Sequence, residues 1–135
     1  MKANDLMVGD WFQNPLGYPY KVKSIKCYNA DKEDEYYKVL GVNKGTEASF
    51  DVINAEPIPL SPEILEKNGF KKEGSWFVIE DDYYDVSIRQ ITESIWRVKY
   101  CNIEFSAFDS TLHIGFVHEL QHALRLCGVK HDIIL

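Results

Sequence analysis

Residues 118–122 read His-Glu-Leu-Gln-His, which matches the H-E-x-x-H motif of zinc-dependent hydrolases. On a helix, residues i and i+4 lie on one face, so the imidazoles of His118 and His122 could bind one zinc ion while Glu119 acts as the general base. A catalytic zinc also needs a third protein ligand, and only 13 residues follow His122. Zinc-dependent hydrolysis is therefore kept as an alternative function, and we expect no metal or other cofactor.

The element that must position this motif is an amphipathic helix over residues 116–127. At about 100° per residue, one stripe of this helix is apolar, formed by Phe116, Leu120, Ala123, Leu124 and Cys127. Polar side chains cluster on the opposite side, namely His118, Gln121, His122 and Arg125. We expect this polar cluster to be exposed and to contact a protein partner. Tyr83 is a further candidate contact, because exposed aromatic side chains often anchor partners.

Residues 1–57 contain short strands joined by turns. In the run from Tyr20 to Ile25, Val22 and Ser24 point to one side and Lys23 and Ile25 to the other, which is the period of two expected for a strand. Four or five such strands with tight turns predict a small SH3-like β-barrel. The prolines in the following segment, Glu56–Leu60, lack the N–H group that a central strand needs, so this segment is predicted to be an extended connector.

Residues 58–135 begin with helix signals and continue with strands. Ser61 is a suitable N-cap, Pro62 suits the first helical position, and Gly69 favours a helix end. Alternating apolar residues then predict strands at 76–79, 83–88 and 95–100, with a fourth at either 103–105 or 112–114.

The strand around residues 95–100 separates two kinds of side chain. Trp96, Val98 and Tyr100 share one face, while Arg97 and Lys99 share the other. Together with the amphipathic helix, these strands predict an antiparallel sheet packed on a C-terminal helix. The predicted fold class is therefore α+β: an SH3-like β-barrel over residues 1–57, followed by an α+β half over residues 58–135.

Composition limits the classes of function. An apolar share of 45% and an aromatic share of 13% supply a core. The net charge is −6, which disfavours nucleic acid as a partner because most of that affinity comes from Lys and Arg, although a local basic patch remains compatible with it. Three widely spaced cysteines suggest buried thiols in a reducing compartment. Without an apolar run of about 20 residues, we expect a cytoplasmic protein with no membrane partner.

Several segments resemble a family of short uncharacterised proteins from gut-type anaerobic bacteria and their phages or mobile elements. The matching segments are Lys2–Leu6, Val8–Trp11, Glu56–Ser61, Ile64–Leu65, Asn68–Phe70 and Val117–Gln121. The family has no assigned activity or catalytic residues. The resemblance also implies that Gln can stand at position 119 and Asn at position 122, which is incompatible with zinc-dependent hydrolysis in such relatives.

These observations predict a non-enzymatic interaction or accessory protein with an unknown protein partner. The resemblance adds a possible origin in a phage or mobile element. Two alternatives remain: the zinc-dependent hydrolase, and a small nucleic-acid-binding module in which aromatic side chains on a sheet stack on bases. The negative net charge makes the nucleic-acid-binding module the less favoured of these two.

Overall fold

A computed structural model describes residues 1–102 and 112–135. These residues form two compact units, Met1–Ile58 and Pro59–Leu135, and each unit contains one antiparallel sheet. Within the described ranges, no helix is long and apolar enough to cross a membrane.

The first unit is a four-stranded meander in which each strand pairs with the next one along the chain. Its strands are β1 (Trp11–Gln13), β2 (Pro19–Tyr28), β3 (Tyr36–Asn43) and β4 (Thr46–Asp51). A 3-10 turn at Val52–Asn54 follows β4. The core contains three aromatic rings, with the Phe12 centroid 5.9 Å from Tyr20 and 5.7 Å from Phe50. Gly41 lies directly against this cluster, since a Cβ atom there would stand 2.8 Å from Cζ of Phe12.

A β-bulge in β2 decides which side chains of the β2–β3 hairpin face the core. Val22 is opposite Gly41 and Ser24 is opposite Leu40, so Lys23 is the additional residue. Val22 and Ile25 therefore share the core side, although simple alternation predicts opposite sides for them. Beyond the bulge, Lys26 and Tyr28 point to the outer side of the sheet.

The predicted fold class is wrong, because the structure is β-rich, with two open antiparallel sheets, no closed barrel in the described residues and a small C-terminal helix. Closing a barrel would require a strand after β4 that pairs along β1. The chain instead forms the 3-10 turn, and pairing with β1 is limited to a single bridge between Gln13 and Glu56. Pro57 and Pro59 cannot donate the further hydrogen bonds that a longer pairing needs.

The described residues of the second unit form a five-stranded sheet and two helices. Its elements are α1 (Pro62–Lys67), β5 (Lys71–Glu73), β6 (Trp76–Glu80), β7 (Tyr84–Gln90), β8 (Trp96–Asn102), β9 (Leu112–Ile114) and α2 (Val117–Leu126). Every strand is antiparallel to the next in the order β5-β6-β7-β8-β9. The short polar strand β5 was not predicted, whereas 112–114 is a strand. The other predicted location, 103–105, lies outside the described residues.

The predicted signals at the ends of α1 are confirmed. The Oγ atom of Ser61 accepts a hydrogen bond from the amide of Ile64 at 3.3 Å, and Pro62 is the first helical residue. After the helix, Gly69 has a φ of 85°, a left-handed conformation that glycine adopts without the steric penalty of a side chain.

Asn68 connects the end of α1 to the C-terminal segment of the chain. Its side chain is buried and donates to the carbonyl oxygens of Ile64 and Ile134, both at 2.8 Å. Its Oδ1 atom accepts from the amide of Ile134 at 2.6 Å, and its backbone oxygen lies 2.7 Å from Nε2 of His131. One amide side chain therefore satisfies three backbone groups from two parts of the unit.

The expectation that the cysteines are buried is wrong for Cys27, whose side chain is exposed. Cys127 is half-buried, and desolvation raises the pKa of its thiol. Raising that pKa keeps the thiol protonated and less reactive near neutral pH.

Replacing Asn68 with Ala should lower the free energy of unfolding by about 2 kcal/mol or more, because buried backbone groups lose their hydrogen-bond partners. Urea denaturation followed by tryptophan fluorescence measures this change. Gln90→Ala, an exposed substitution in the same unit, is the control and should change stability by less than about 0.5 kcal/mol. Equal effects of the two substitutions would show that the Asn68 contacts do not stabilise the unit.

Candidate functional site

The His-Glu-Leu-Gln-His segment lies at the start of α2, where Glu119 has a structural contact. Its Oε1 atom accepts hydrogen bonds from the amides of Gly115 at 3.0 Å and Phe116 at 3.2 Å. These amides precede the first turn, where a carboxylate also interacts favourably with the positive end of the helix. The carboxylate of Glu119 therefore stabilises the start of α2 in this structure.

The two histidines of the motif lie close together on the same helix. Their ring centroids are 5.7 Å apart, and the ring of His118 also stacks on Phe116 at 5.9 Å. Among residues 1–102 and 112–135, no three His, Cys, Asp or Glu side chains are grouped so that they could hold a metal ion. The described geometry thus gives the zinc-dependent hydrolase no third ligand.

The polar cluster predicted on α2 is only partly exposed. His118 and Gln121 are buried at 7% and 4% exposure, so the expectation that they face solvent is wrong. His122 is half-buried and Arg125 is exposed. The reason is that buried positions extend around more than half of the helix circumference, from Ala123 through Leu120, Leu124 and Val117 to Gln121 and His118.

Tyr83, the remaining predicted contact, is 64% exposed in the turn between β6 and β7. This turn is fixed by Asp81, whose Oδ1 atom accepts from the amides of Tyr83 at 2.7 Å and Tyr84 at 3.0 Å. Tyr83 lies on a different element from Arg125 and His122. Whether any of these three contacts a partner stays a prediction.

The outer face of the second sheet brings together cations and an aromatic ring that are distant in sequence. On the opposite face, Phe77, Ile88 and Val98 are aligned across β6, β7 and β8, and all three are buried. Because neighbouring residues of a strand point to opposite faces, the residues next to them share the outer face. Lys71 also lies on the outer face, because it is opposite Val78, the neighbour of Phe77. We call the following residues the cationic face: Lys71, Trp76, Arg89, Arg97 and Lys99.

Trp76 is the centre of the cationic face. The guanidinium carbon of Arg89 lies 5.1 Å from the centroid of its ring, and Nζ of Lys99 lies 4.8 Å from the same centroid. Both distances are within the range of about 6 Å in which a cation is attracted to an aromatic ring. The indole therefore holds two positive charges from two neighbouring strands in one place.

The surroundings of the ring keep these charges available. Within the part of the chain that the structure describes, neither Arg89 nor Lys99 forms an ion pair with a carboxylate. Arg97 is directly opposite Arg89, and like charges in this position destabilise a sheet. His113 on β9 is opposite Arg97 and extends the row of nitrogen-bearing side chains.

Acidic side chains also lie on the outer face of this sheet, one of them beside Trp76. Glu73 is opposite Trp76 on the edge strand, and Glu80 and Asp85 are opposite each other beside the β6–β7 turn. The four cations of the cationic face outnumber these three carboxylates, although the whole chain has a net charge of −6. Such a local field can attract an anion to this part of the protein.

Only part of the cationic face is visible in the amino-acid sequence. Alternation in β8 places Arg97 and Lys99 on one side, but Trp76 and Arg89 come from two other strands. Only the register of the sheet shows that these residues meet. A usable signal was the repeated placement of cations at the polar positions of consecutive strands.

The first unit contains a groove with a cavity volume of about 1010 Å³ beside the β2–β3 hairpin. Met1, Ile25, Tyr37, Val52 and Ile53 are among its lining residues. At its rim, the hydroxyl of Tyr37 donates a hydrogen bond to Glu35 at 2.9 Å. This bond, together with the neighbouring Cys27, raises the pKa of Tyr37 to about 12.

Comparison of the chain with known protein families, with curated proteins and with solved structures finds no match. The family resemblance therefore stays a prediction, and the geometry of the described residues carries the functional argument.

Replacing Glu119 with Ala should lower the free energy of unfolding by about 1 kcal/mol, because two amides at the start of α2 lose their acceptor. Glu119→Gln keeps a side-chain oxygen and should retain much of this stability. Urea denaturation of both variants checks the difference. Full stability of Glu119→Ala would show that the side chain does not cap the helix.

The ionisation of Tyr37 should depend on Glu35. In the parent protein, the Tyr37 phenol should stay protonated until the pH approaches 12, because its proton is donated to the carboxylate. In Glu35→Gln the acceptor is no longer charged, so the pKa of Tyr37 should fall toward its ordinary value of 10.0. Carbon NMR titration of the Tyr37 ring measures both values, and an unchanged pKa in the variant would contradict the assigned cause.

Proposed function

We propose that this chain is a non-enzymatic binding protein whose second unit binds single-stranded nucleic acid on the cationic face. The observation that carries the proposal is the position of Trp76, with Arg89 and Lys99 both within about 5 Å of its ring centroid. In the free protein these two cations lie over the ring, so a base can stack on the indole when the cations move from the ring to the neighbouring phosphates. The ring and the cations together supply the two interactions that single strands need, namely stacking for bases and charge for phosphates.

The chemistry of the face favours a single strand over a duplex. Bases in a duplex are stacked on one another, so an indole on a sheet cannot reach their faces without unstacking them. Readers of the major groove commonly insert a helix with basic side chains. Helix α2 has one basic residue in its last turn, Arg125, and six of its ten residues are buried. It is therefore poorly suited to insertion into a groove.

The negative net charge weakens this proposal less than the sequence suggests. Phosphate binding depends on the charges within about a Debye length, roughly 8 Å at physiological salt, more than on the sum over the chain. The cationic face has four Lys or Arg residues on three strands of one sheet, β5, β7 and β8. Repulsion by the remaining acidic surface implies moderate affinity and a marked dependence on salt.

Other functions receive less support from the described geometry. Zinc-dependent hydrolysis would require Glu119 to leave the two amides that it now binds. A protein partner at His122, Arg125 or Tyr83 stays a prediction. A role as an accessory protein of a phage or mobile element also stays a prediction, and it is compatible with nucleic-acid binding.

Replacing Trp76 with Ala should weaken binding of a thymidine oligonucleotide by about 1–3 kcal/mol, the range measured for base stacking on aromatic side chains. Trp76→Phe keeps an aromatic ring and should retain much of the affinity. Fluorescence anisotropy of a labelled oligonucleotide at low salt measures both. Equal binding by the parent and Trp76→Ala, with both folded, would refute stacking on this ring.

The contribution of charge is tested by Arg89→Gln/Lys99→Gln. We expect this double variant to bind at least about tenfold more weakly and to show a shallower dependence on salt, because two phosphate contacts are removed. Lys67→Gln/Lys130→Gln removes the same charge from exposed positions of the same unit and is the matched control. Equal losses in both double variants would mean that only the total charge matters.

A further inference from the structure

The outer side of the β2–β3 hairpin in the first unit carries a second group of cations and aromatic rings. Tyr28 is directly opposite Tyr36, and Lys26 is directly opposite Lys38. Residues i and i+2 of a strand share a face, so all four side chains project from the outer side. We call them the hairpin face.

The rings of the hairpin face are stacked on each other. Tyr28 and Tyr36 have centroids 5.1 Å apart and planes 9° from parallel. They are 39% and 41% exposed, although aromatic side chains usually contribute to a core. Nζ of Lys38 lies over the ring of Tyr28, 6.0 Å from its centroid. The stacked pair therefore has a cation in contact with one of its rings, as Trp76 has on the cationic face.

The positive charges of the hairpin face destabilise the sheet when no ligand is bound. Lys26 and Lys38 repel each other in directly opposed positions. Asp51 on β4 is opposite Lys38 and partly offsets this repulsion, but no described carboxylate forms an ion pair with Lys26 or Lys38. An anion bound between the two ammonium groups would remove the repulsion. The ion pair between Lys23 and Glu47 lies nearer the base of the hairpin.

We propose that the hairpin face is a second binding surface for single-stranded nucleic acid, distinct from the cationic face of the second unit. The proposal rests on the proposed function, because it assigns the same class of ligand to a second surface. The stacked tyrosines contact bases, and Lys26 and Lys38 contact phosphates. Each chain then has two independent surfaces for short strands.

The test uses the full chain and a thymidine oligonucleotide of about 6 nucleotides, within the range of site sizes found for single-strand binders. Isothermal titration at low salt gives the number of strands bound, and NMR gives the residues affected. The variants are Lys26→Gln/Lys38→Gln and Tyr28→Ser/Tyr36→Ser. Lys2→Gln/Lys44→Gln is the matched control, because it removes two exposed charges of the same unit outside the hairpin face.

We expect the parent and the control to bind two strands per chain and each hairpin variant to bind one. We also expect the backbone NMR signals of Tyr28 and Tyr36 to shift on titration, and to shift equally in Trp76→Ala. The hairpin variants should keep the dispersed NMR spectrum of the parent, which shows that they are folded.

The possible failures are distinguishable. One strand per chain, lost in Trp76→Ala and retained in the hairpin variants, would overturn the second surface and leave the proposed function intact. Absence of binding by the folded parent would overturn both proposals. Displacement of the oligonucleotide by polyglutamate of equal charge, at equal concentration, would show general anion binding and would also overturn the assignment to nucleic acid.

Discussion

The register of the second sheet is the constraint on which its outer surface depends. Phe77, Ile88 and Val98 must be buried together, and burial of these three side chains fixes the alignment of β6, β7 and β8. A slip by one residue would place an arginine in the core, where an uncompensated charge is strongly unfavourable. Burial of these apolar side chains therefore also fixes the positions of Arg89 and Arg97 on the outer face.

In the second unit, buried hydrogen bonds hold the C-terminal segment of the chain in place. The last residues of the chain have no regular secondary structure, so their backbone groups need partners elsewhere. Asn68 supplies them from the end of α1, and Phe70 adds an edge-to-face contact with His131 at 6.0 Å. A buried amide specifies geometry more narrowly than an apolar contact does, because its donors and acceptor have fixed directions. The C-terminal segment thereby has one preferred path.

Local features of the fold were predictable from the sequence, and features that depend on distant pairing were not. The effects of Ser61, Pro62 and Gly69 on helix formation depend only on neighbouring residues, and α1 begins after Ser61 and ends before Gly69 as predicted. Alternation identified the two faces of β8 for the same reason. The prediction of a closed barrel was wrong because closure depends on two distant segments, β1 and the chain after β4. The burial of His118 also could not be predicted, since a helix pattern does not show how much of the circumference its surroundings cover.

The two candidate surfaces were also only partly predictable from the sequence. The cations of β8 are visible in sequence, but their approach to Trp76 requires β6, β7 and β8 to align. Tyr36 and Tyr37 are adjacent in the sequence and both line the groove of the first unit, yet only Tyr36 belongs to the stacked pair. Composition reports the sum of all charges, whereas recognition depends on their distribution over the surface.

The bulge at Lys23 has a consequence for how this hairpin could change during evolution. Loss of Lys23 would remove the extra residue and leave Val22 and Ile25 two positions apart, so Ile25 would stay on the core side and Lys26 on the outer side. Loss of one residue elsewhere in β2 would instead move every side chain beyond it to the other side of the sheet. Length variation in this strand is therefore expected at the bulge.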